Sequence, residues 1–260
     1  MNTTFRLSLI ATLILTFACL SVATSQSTTI QFGDHSINWS GFENNTPQDN
    51  QDVIDYPDII GGSLTIHNNF LTTVTVNFSE WKVDPFWNLL APGDLFIDLG
   101  ANQNWNYIFS FWDNSESWDS SMGADNSGFA PKDQTDLSGI LYAIEGNSLP
   151  LNNASGYHMS NWTNGRDNHP IAFDPSSGIQ YSTVSTSAHL SGWGTTSISF
   201  ENLSIDLSGV GKIAIGWTQN CANDVLYETI PVPEPGTLLL FSTGLIGLLF
   251  VHRRATNSKS

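Results

Sequence analysis

Apolar and polar residues alternate with a period of two along most of this chain. Val74, Val76 and Phe78 are interleaved with Thr73, Thr75 and Asn77, and Leu95, Ile97 and Leu99 alternate with Phe96 and Asp98. Such spacing sends successive side chains to opposite faces of a strand. The same pattern recurs at Trp105, Tyr107, Phe109 and Phe111, with Ile108 and Trp112 on the second face, and at Ile140, Tyr142 and Ile144. It returns at Ile179 and Tyr181, Ile198 and Phe200, Leu203, Ile205 and Leu207, and Ile213, Ile215 and Trp217. Turn-forming clusters separate these runs, among them Gly61-Gly62-Ser63, Ala91-Pro92-Gly93-Asp94, Ser120 to Pro131 and Leu149 to Gly156. Many short strands joined by such turns predict an all-β fold, an antiparallel β-sandwich or jelly roll. No repeat of solenoid or propeller length is visible.

Two stretches break the alternation. After Thr28-Thr29-Ile30-Gln31-Phe32 the chain runs through Asn44 to Asp52, where a solvated loop is expected. Asn152 to Ser177 holds Tyr157, His158, Trp162, Arg166 and His169 with little periodicity, and reads as a long loop in which a binding surface would first be sought.

Both ends are apolar without alternation. Met1 to Ser25 carries one positive charge, Arg6, an apolar stretch from Leu7 to Leu20, and the small residues Ala23-Thr24-Ser25. Residues 1–25 therefore read as a signal peptide cut by signal peptidase before Gln26; Cys19 follows Phe17, too bulky for a good lipidation motif. At the far end, residues 236–251 form an uncharged run of sixteen, about 24 Å as a helix. That is short against a hydrocarbon core of about 30 Å. Arg253, Arg254 and Lys259 follow at once as a positive-inside stop. Residues 237–251 are thus expected to span the inner membrane and 252–260 to form a basic cytoplasmic tail. Pro231, Pro233 and Pro235 fix φ and remove backbone donors, so 230–236 is expected to be an extended linker. The globular domain is expected over 26–229.

Val232-Pro233-Glu234-Pro235, the apolar run and the pair Arg253-Arg254 together resemble the PEP-CTERM sorting domain of bacterial exosortase substrates. The resemblance covers about the last thirty residues. It implies recognition of Pro233, Glu234 and Pro235 by exosortase, an integral-membrane cysteine protease, then release or attachment at the cell surface. It also implies an association with bacteria that make exopolysaccharide. The segment Cys221-Ala222-Asn223-Asp224 resembles a shorter Cys-x-Asn-Asp element that precedes this motif in such proteins.

Without its two ends the chain is strongly acidic. Residues 26–233 hold four basic and 23 acidic residues, a net charge of −19. Such a surface repels nucleic acid and anionic lipid, which excludes a nucleic-acid partner. One cysteine, Cys221, falls in that segment, so no internal disulfide can form there. Its place after Ile213, Ile215 and Trp217 suits a buried thiol.

No catalytic motif is present. Asp49, Asp52, Asp55 and Asp58 recur every three residues, and Asp113, Glu116, Asp119 and Asp125 form a second acidic stretch. Such hard oxygens make Ca²⁺ the one candidate cofactor, although neither stretch has an EF-hand loop. His158, His169 and His189 lack zinc-site spacing, and no serine lies in a nucleophile elbow. Of nine tryptophans, Trp105, Trp112 and Trp217 lie in strand patterns, whereas Trp118 and Trp162 lie in polar loops and are the candidate carbohydrate contacts. The reading is an exported, non-enzymatic surface or matrix protein associated with exopolysaccharide; the alternative is a secreted polysaccharide-active hydrolase or carbohydrate-binding protein on a jelly-roll scaffold.

Overall fold

The computed structural model describes residues 27–42, 51–52, 58–79, 92–110, 137–145, 149–160, 166, 168–191, 196–219, 222–233 and 244. Their strands form two main antiparallel sheets, as the alternation predicts. The first sheet holds, in spatial order, β1 (Ser27–Phe32), β2 (Ile59–His67), β3 (Phe70–Phe78), β14 (Ser197–Asp206), β13 (His189–Ser191) and β7 (Leu137–Ser138). The second holds β12 (Tyr181–Ser185), β8 (Ile140–Ile144), β6 (Tyr107–Ser110), β4 (Leu95–Leu99), β15 (Lys212–Thr218) and β16 (Val225–Pro231). Two short pairs complete the set: β5 (Asn104–Trp105) with β9 (Leu149–Pro150), and β10 (Tyr157–Met159) with β11 (Pro170–Phe173).

The main core lies between the two sheets. Leu64, Val74, Val76 and Phe200 of the first sheet share one apolar cluster with Ile97, Phe109, Ile215 and Trp217 of the second. The central outward positions of the first sheet are polar and in register, while Ile60 and Phe70 are exposed near the strand ends. Gln31, Ser63, Thr75, Ser199 and Ser191 stand opposite one another strand by strand; beside them runs Thr29, Thr65, Thr73, Glu201 and His189. The Oγ1 of Thr75 and the Oγ of Ser199 are 2.9 Å apart, a cross-strand hydroxyl pair.

Local chemistry explains the turns and two departures from the alternation. The Asn68-Asn69 turn joining β2 to β3 has positive φ at both residues (50° and 68°), the geometry of a tight hairpin. Gly61-Gly62-Ser63, expected as a turn, lies inside β2. A Cβ on Gly62 would sit 2.0 Å from the Thr75 carbonyl oxygen and 2.6 Å from the Phe32 ring, so the glycine serves close strand approach. The runs Ile198–Phe200 and Leu203–Leu207 belong to one strand for most of their length, β14, irregular where Asn202 (φ 59°) and Ser204 (φ 56°) interrupt pairing with β3.

The second sheet is buried on both faces over β4, β6 and β15, which the alternation did not predict. Residues from 33–42, 149–160 and 168–181 cover its outer side, and Trp39, Phe42, Tyr157 and Phe173 pack there against Phe96, Trp105, Ile108 and Tyr142. The stretch from Asn152 to Ser177, expected as a long loop, instead holds β10 and β11 and adds to this covering layer: Tyr157, Arg166 and His169 are all buried. Trp39 makes edge or tilted contacts with Phe96, Trp105 and Tyr157 at 5.1, 5.3 and 6.2 Å between centroids. Its Nε1 donates to the Leu226 carbonyl at 3.1 Å. The same loop reaches the outer edge of β16, where the His35 amide donates to Glu228 Oε1 at 2.7 Å and the Ser36 hydroxyl donates to the Tyr227 carbonyl.

Gly216 on β15 lets the two indoles approach the sheet. A Cβ there would lie 2.6 Å from Trp105 Cη2 and 2.9 Å from Trp39 Cζ2. Neither ring can swing away inside a packed layer. Gly216→Ala is expected to destabilise the domain by about 1–3 kcal/mol through overpacking, read as a lower melting temperature and an altered near-UV tryptophan signal. An unchanged melt would mean that this second core is loosely packed.

Candidate functional site

Two features stand out: the junction between the domain and its C-terminal signal, and a group of three carboxylates of which Asp224 is buried, Asp34 half-buried and Asp52 exposed. At the junction β16 pairs with β15 through to Pro231, which lies opposite Lys212. Pro231 has no N–H to donate, and its strand is the edge of the sheet, where proline is tolerated. The next amide, of Val232, donates to the Gly211 carbonyl at 3.0 Å, and the Val232 side chain joins the main core at 9% exposure. The folded unit thus runs to Val232, three residues past the expected boundary at 229. Val232 is both the first residue of Val-Pro-Glu-Pro and part of the fold; Pro233 is the first beyond it. Glu234, Pro235, Arg253 and Arg254 lie outside the described residues, as do the signal-peptide residues 1–25 with Cys19 and the expected membrane span 237–251. No helix among the described residues is long and apolar enough to cross a membrane.

The carboxylate group gathers residues distant in sequence. Asp34 follows β1, Asp52 comes from the acidic stretch, and Asp224 sits in the turn between β15 and β16. One carboxylate oxygen from each lies within 4.8 Å of the others. Asp224 is fixed by main-chain donors: its Oδ1 accepts from the Val225 amide at 2.8 Å and its Oδ2 from the Ile59 amide. Its own carbonyl accepts from the Thr218 hydroxyl. Buried Arg166 braces the same place, donating through Nη1 to the Ala222 carbonyl at 3.2 Å and through Nη2 to the Gln51 and Asp52 carbonyls at 2.5 and 2.6 Å.

Burial and the repulsion of neighbouring carboxylates make Asp34 and Asp224 weak acids. Asp34 is pushed up to about 8, first by burial and then by the charges of Asp224 and Asp52, with the Ser36 amide opposing. Asp224 is raised to about 7 by burial, against the opposing pull of the Ile59 and Val225 amides and of Arg166. Burial also raises Asp94 to about 8, although its Oδ2 accepts from the Phe173 amide at 2.9 Å. His169, wholly buried beneath Trp39 and close to Arg166, is lowered to about 3 by burial and that cation. Chemically, Asp34 and Asp224 can share a proton, or the three acids can offer part of the six to eight oxygens that Ca²⁺ takes.

The structure sorts the sequence candidates. Of the acids read as Ca²⁺ ligands, Asp52 enters this group and Asp58 does not; Asp49, Asp55, Asp113, Glu116, Asp119 and Asp125 lie outside the described residues. Trp118, Trp162, Trp112 and Cys221 lie outside them too. Trp105 and Trp217 are core residues, as expected. The histidines stand apart, His158 3.9 Å from Asp174 and His189 3.2 Å from Glu201. Asp34 and Asp224 escaped sequence reading because neither belongs to an acidic run. Their one local signal is the Asn223-Asp224 pair closing the Cys-x-Asn-Asp element.

Residues 231–254 match the family model of the PEP-CTERM protein-sorting motif. That motif marks an exported protein processed by exosortase. No curated protein and no solved structure gives a significant match to the chain.

Proposed function

From the premise that the chain carries a PEP-CTERM sorting motif at its C-terminal end, we propose that it is a non-enzymatic protein of the cell surface or extracellular matrix. In this reading signal peptidase removes 1–25, the inner membrane holds the precursor through 237–251, and exosortase processes it near Pro233-Glu234-Pro235. The β domain then associates with exopolysaccharide.

One observation carries this reading. Among the described residues the last main-chain hydrogen bond of the domain is that of the Val232 amide, and the recognition prolines begin at the next residue. A protease needs extended backbone free of sheet pairing, and the pairing of β16 with β15 ends at Pro231, two residues before Pro233. The acidic surface supports a life away from anionic membranes and nucleic acid.

Mass spectrometry of the C-terminus in the native host, with and without its exosortase, tests the reading. With exosortase, the mature chain is expected to end beyond Val232 and to lack 252–260; without it, Ser260 is retained. Ser260 intact in both hosts defeats the sorting role. A mature end inside β16 would mean that processing acts on an unfolded domain.

A further inference from the structure

Resting on the matrix association proposed above, we infer that the outward face of the first sheet is the surface that holds the polymer, and that the polymer is an uncharged polysaccharide. The face is broad and regular. Adjacent strands stand about 4.8 Å apart and alternate residues on a strand about 6.8 Å, so the row from Gln31 to Ser191 crosses five paired strands, roughly 19 Å. Ser63, Thr65, Thr73, Thr75 and Ser199 fill its centre, each half-buried by its neighbours. Every hydroxyl there can donate one hydrogen bond and accept two, and every threonine adds a methyl. Such a lattice matches the alternating hydroxyls and C–H faces of sugar rings.

Charge selects the kind of polymer. The domain carries −19, yet these two rows hold a single acid, Glu201, and it is engaged: His189 Nε2 lies 3.2 Å from its Oε2 and the Ser191 hydroxyl donates to its Oε1 at 2.8 Å. An anionic polymer would find no cation here and a repelling domain around it. A neutral polymer meets no desolvated charge. The surface is a flat sheet face and not a pocket, so a single sugar unit touches few groups. A chain lying across several strands accumulates many weak contacts, as multivalent binding requires.

The test uses the full chain purified in detergent and its depletion from solution by two insoluble uncharged glucans, cellulose and curdlan, with alginate gel as the anionic comparison. Binding to a glucan is expected to survive 0.5 M salt and to fall at least tenfold in the double variant Thr65→Glu/Thr75→Glu. Ser182→Glu, on exposed β12 of the other sheet, is expected to bind as the native chain does. Near-UV circular dichroism and melting temperature confirm that the variants fold. Equal binding by the double variant, binding to alginate alone, no binding to either glucan, or a native dimer that the double variant breaks would each overturn this inference. Co-sedimentation with the host's own matrix tests the parent reading separately: a double variant that still co-sediments leaves that reading standing and removes this face from it.

Discussion

Trp39→Ala is expected to lower the melting temperature by roughly 10 °C or more, at 2–4 °C per kcal/mol for a domain of this size. The indole is fully buried in the layer that covers the second sheet. Removing it forfeits its packing on Phe96, Trp105 and Tyr157 and leaves a cavity, which for a buried aromatic costs about 3–5 kcal/mol. It also strips the Leu226 carbonyl of its donor. Against a total stability of about 5–15 kcal/mol, a loss of that size puts a large share of molecules near unfolding. Thermal and urea melts read it directly. A change of a degree or two would mean that residues 33–42 are a loose covering and that the main core carries the domain alone.

The second large effect is an acid-shifted optimum of stability. Asp34 and Asp94 hold their protons up to about pH 8 and Asp224 up to about 7, whereas in the unfolded chain each lets go near 3.8. Between those values the folded state binds more protons than the unfolded state, so stability falls as pH rises and levels off above about 8. His169 acts in the opposite sense lower down: folded it is neutral to about pH 3, so its contribution is complete above 6.5 and is lost as pH drops below that. Three acids outweigh one imidazole over the range they share, so the two trends place the maximum at about pH 4. The melting temperature is expected to fall by roughly 5–10 °C from pH 6 to pH 9. Asp34→Asn should flatten that fall, raising the melt more at pH 8.5 than at pH 5.5. Because Asp34 and Asp224 titrate as a coupled pair, the profile reports them jointly. A melting temperature that climbs from pH 6 to 9 would show that these carboxylates are ionised and solvated.

Much of the sandwich could be read in advance because a sheet with one wet face writes its burial into every second residue. Val74, Val76 and Phe78 point into the core while Thr73, Thr75 and Asn77 look out, as their spacing says. The sorting signal was equally legible, since proline spacing, an uncharged run and paired arginines act locally. The covering layer was not. Phe96, Ile108 and Tyr142 fall on the second face of their strands, and only residues far away in the chain, Trp39 and Phe173, make that face dry. Gly61 and Gly62 were read as a turn because glycine punctuates loops more often than it permits close strand contact. The acid group depended on three separate segments meeting, a juxtaposition that no spacing rule encodes.

The cover over β16 has a bearing on life at high surface density. An exported domain packed among copies of itself risks polymerising through bare strand edges, each copy adding a strand to the next. Here the Ser36 hydroxyl occupies the Tyr227 carbonyl on that edge, the His35 amide ties down the Glu228 side chain beside it, and Pro231 ends it with a residue that cannot donate. Crowding therefore finds fewer free main-chain groups on this flank for a second copy to add a strand to.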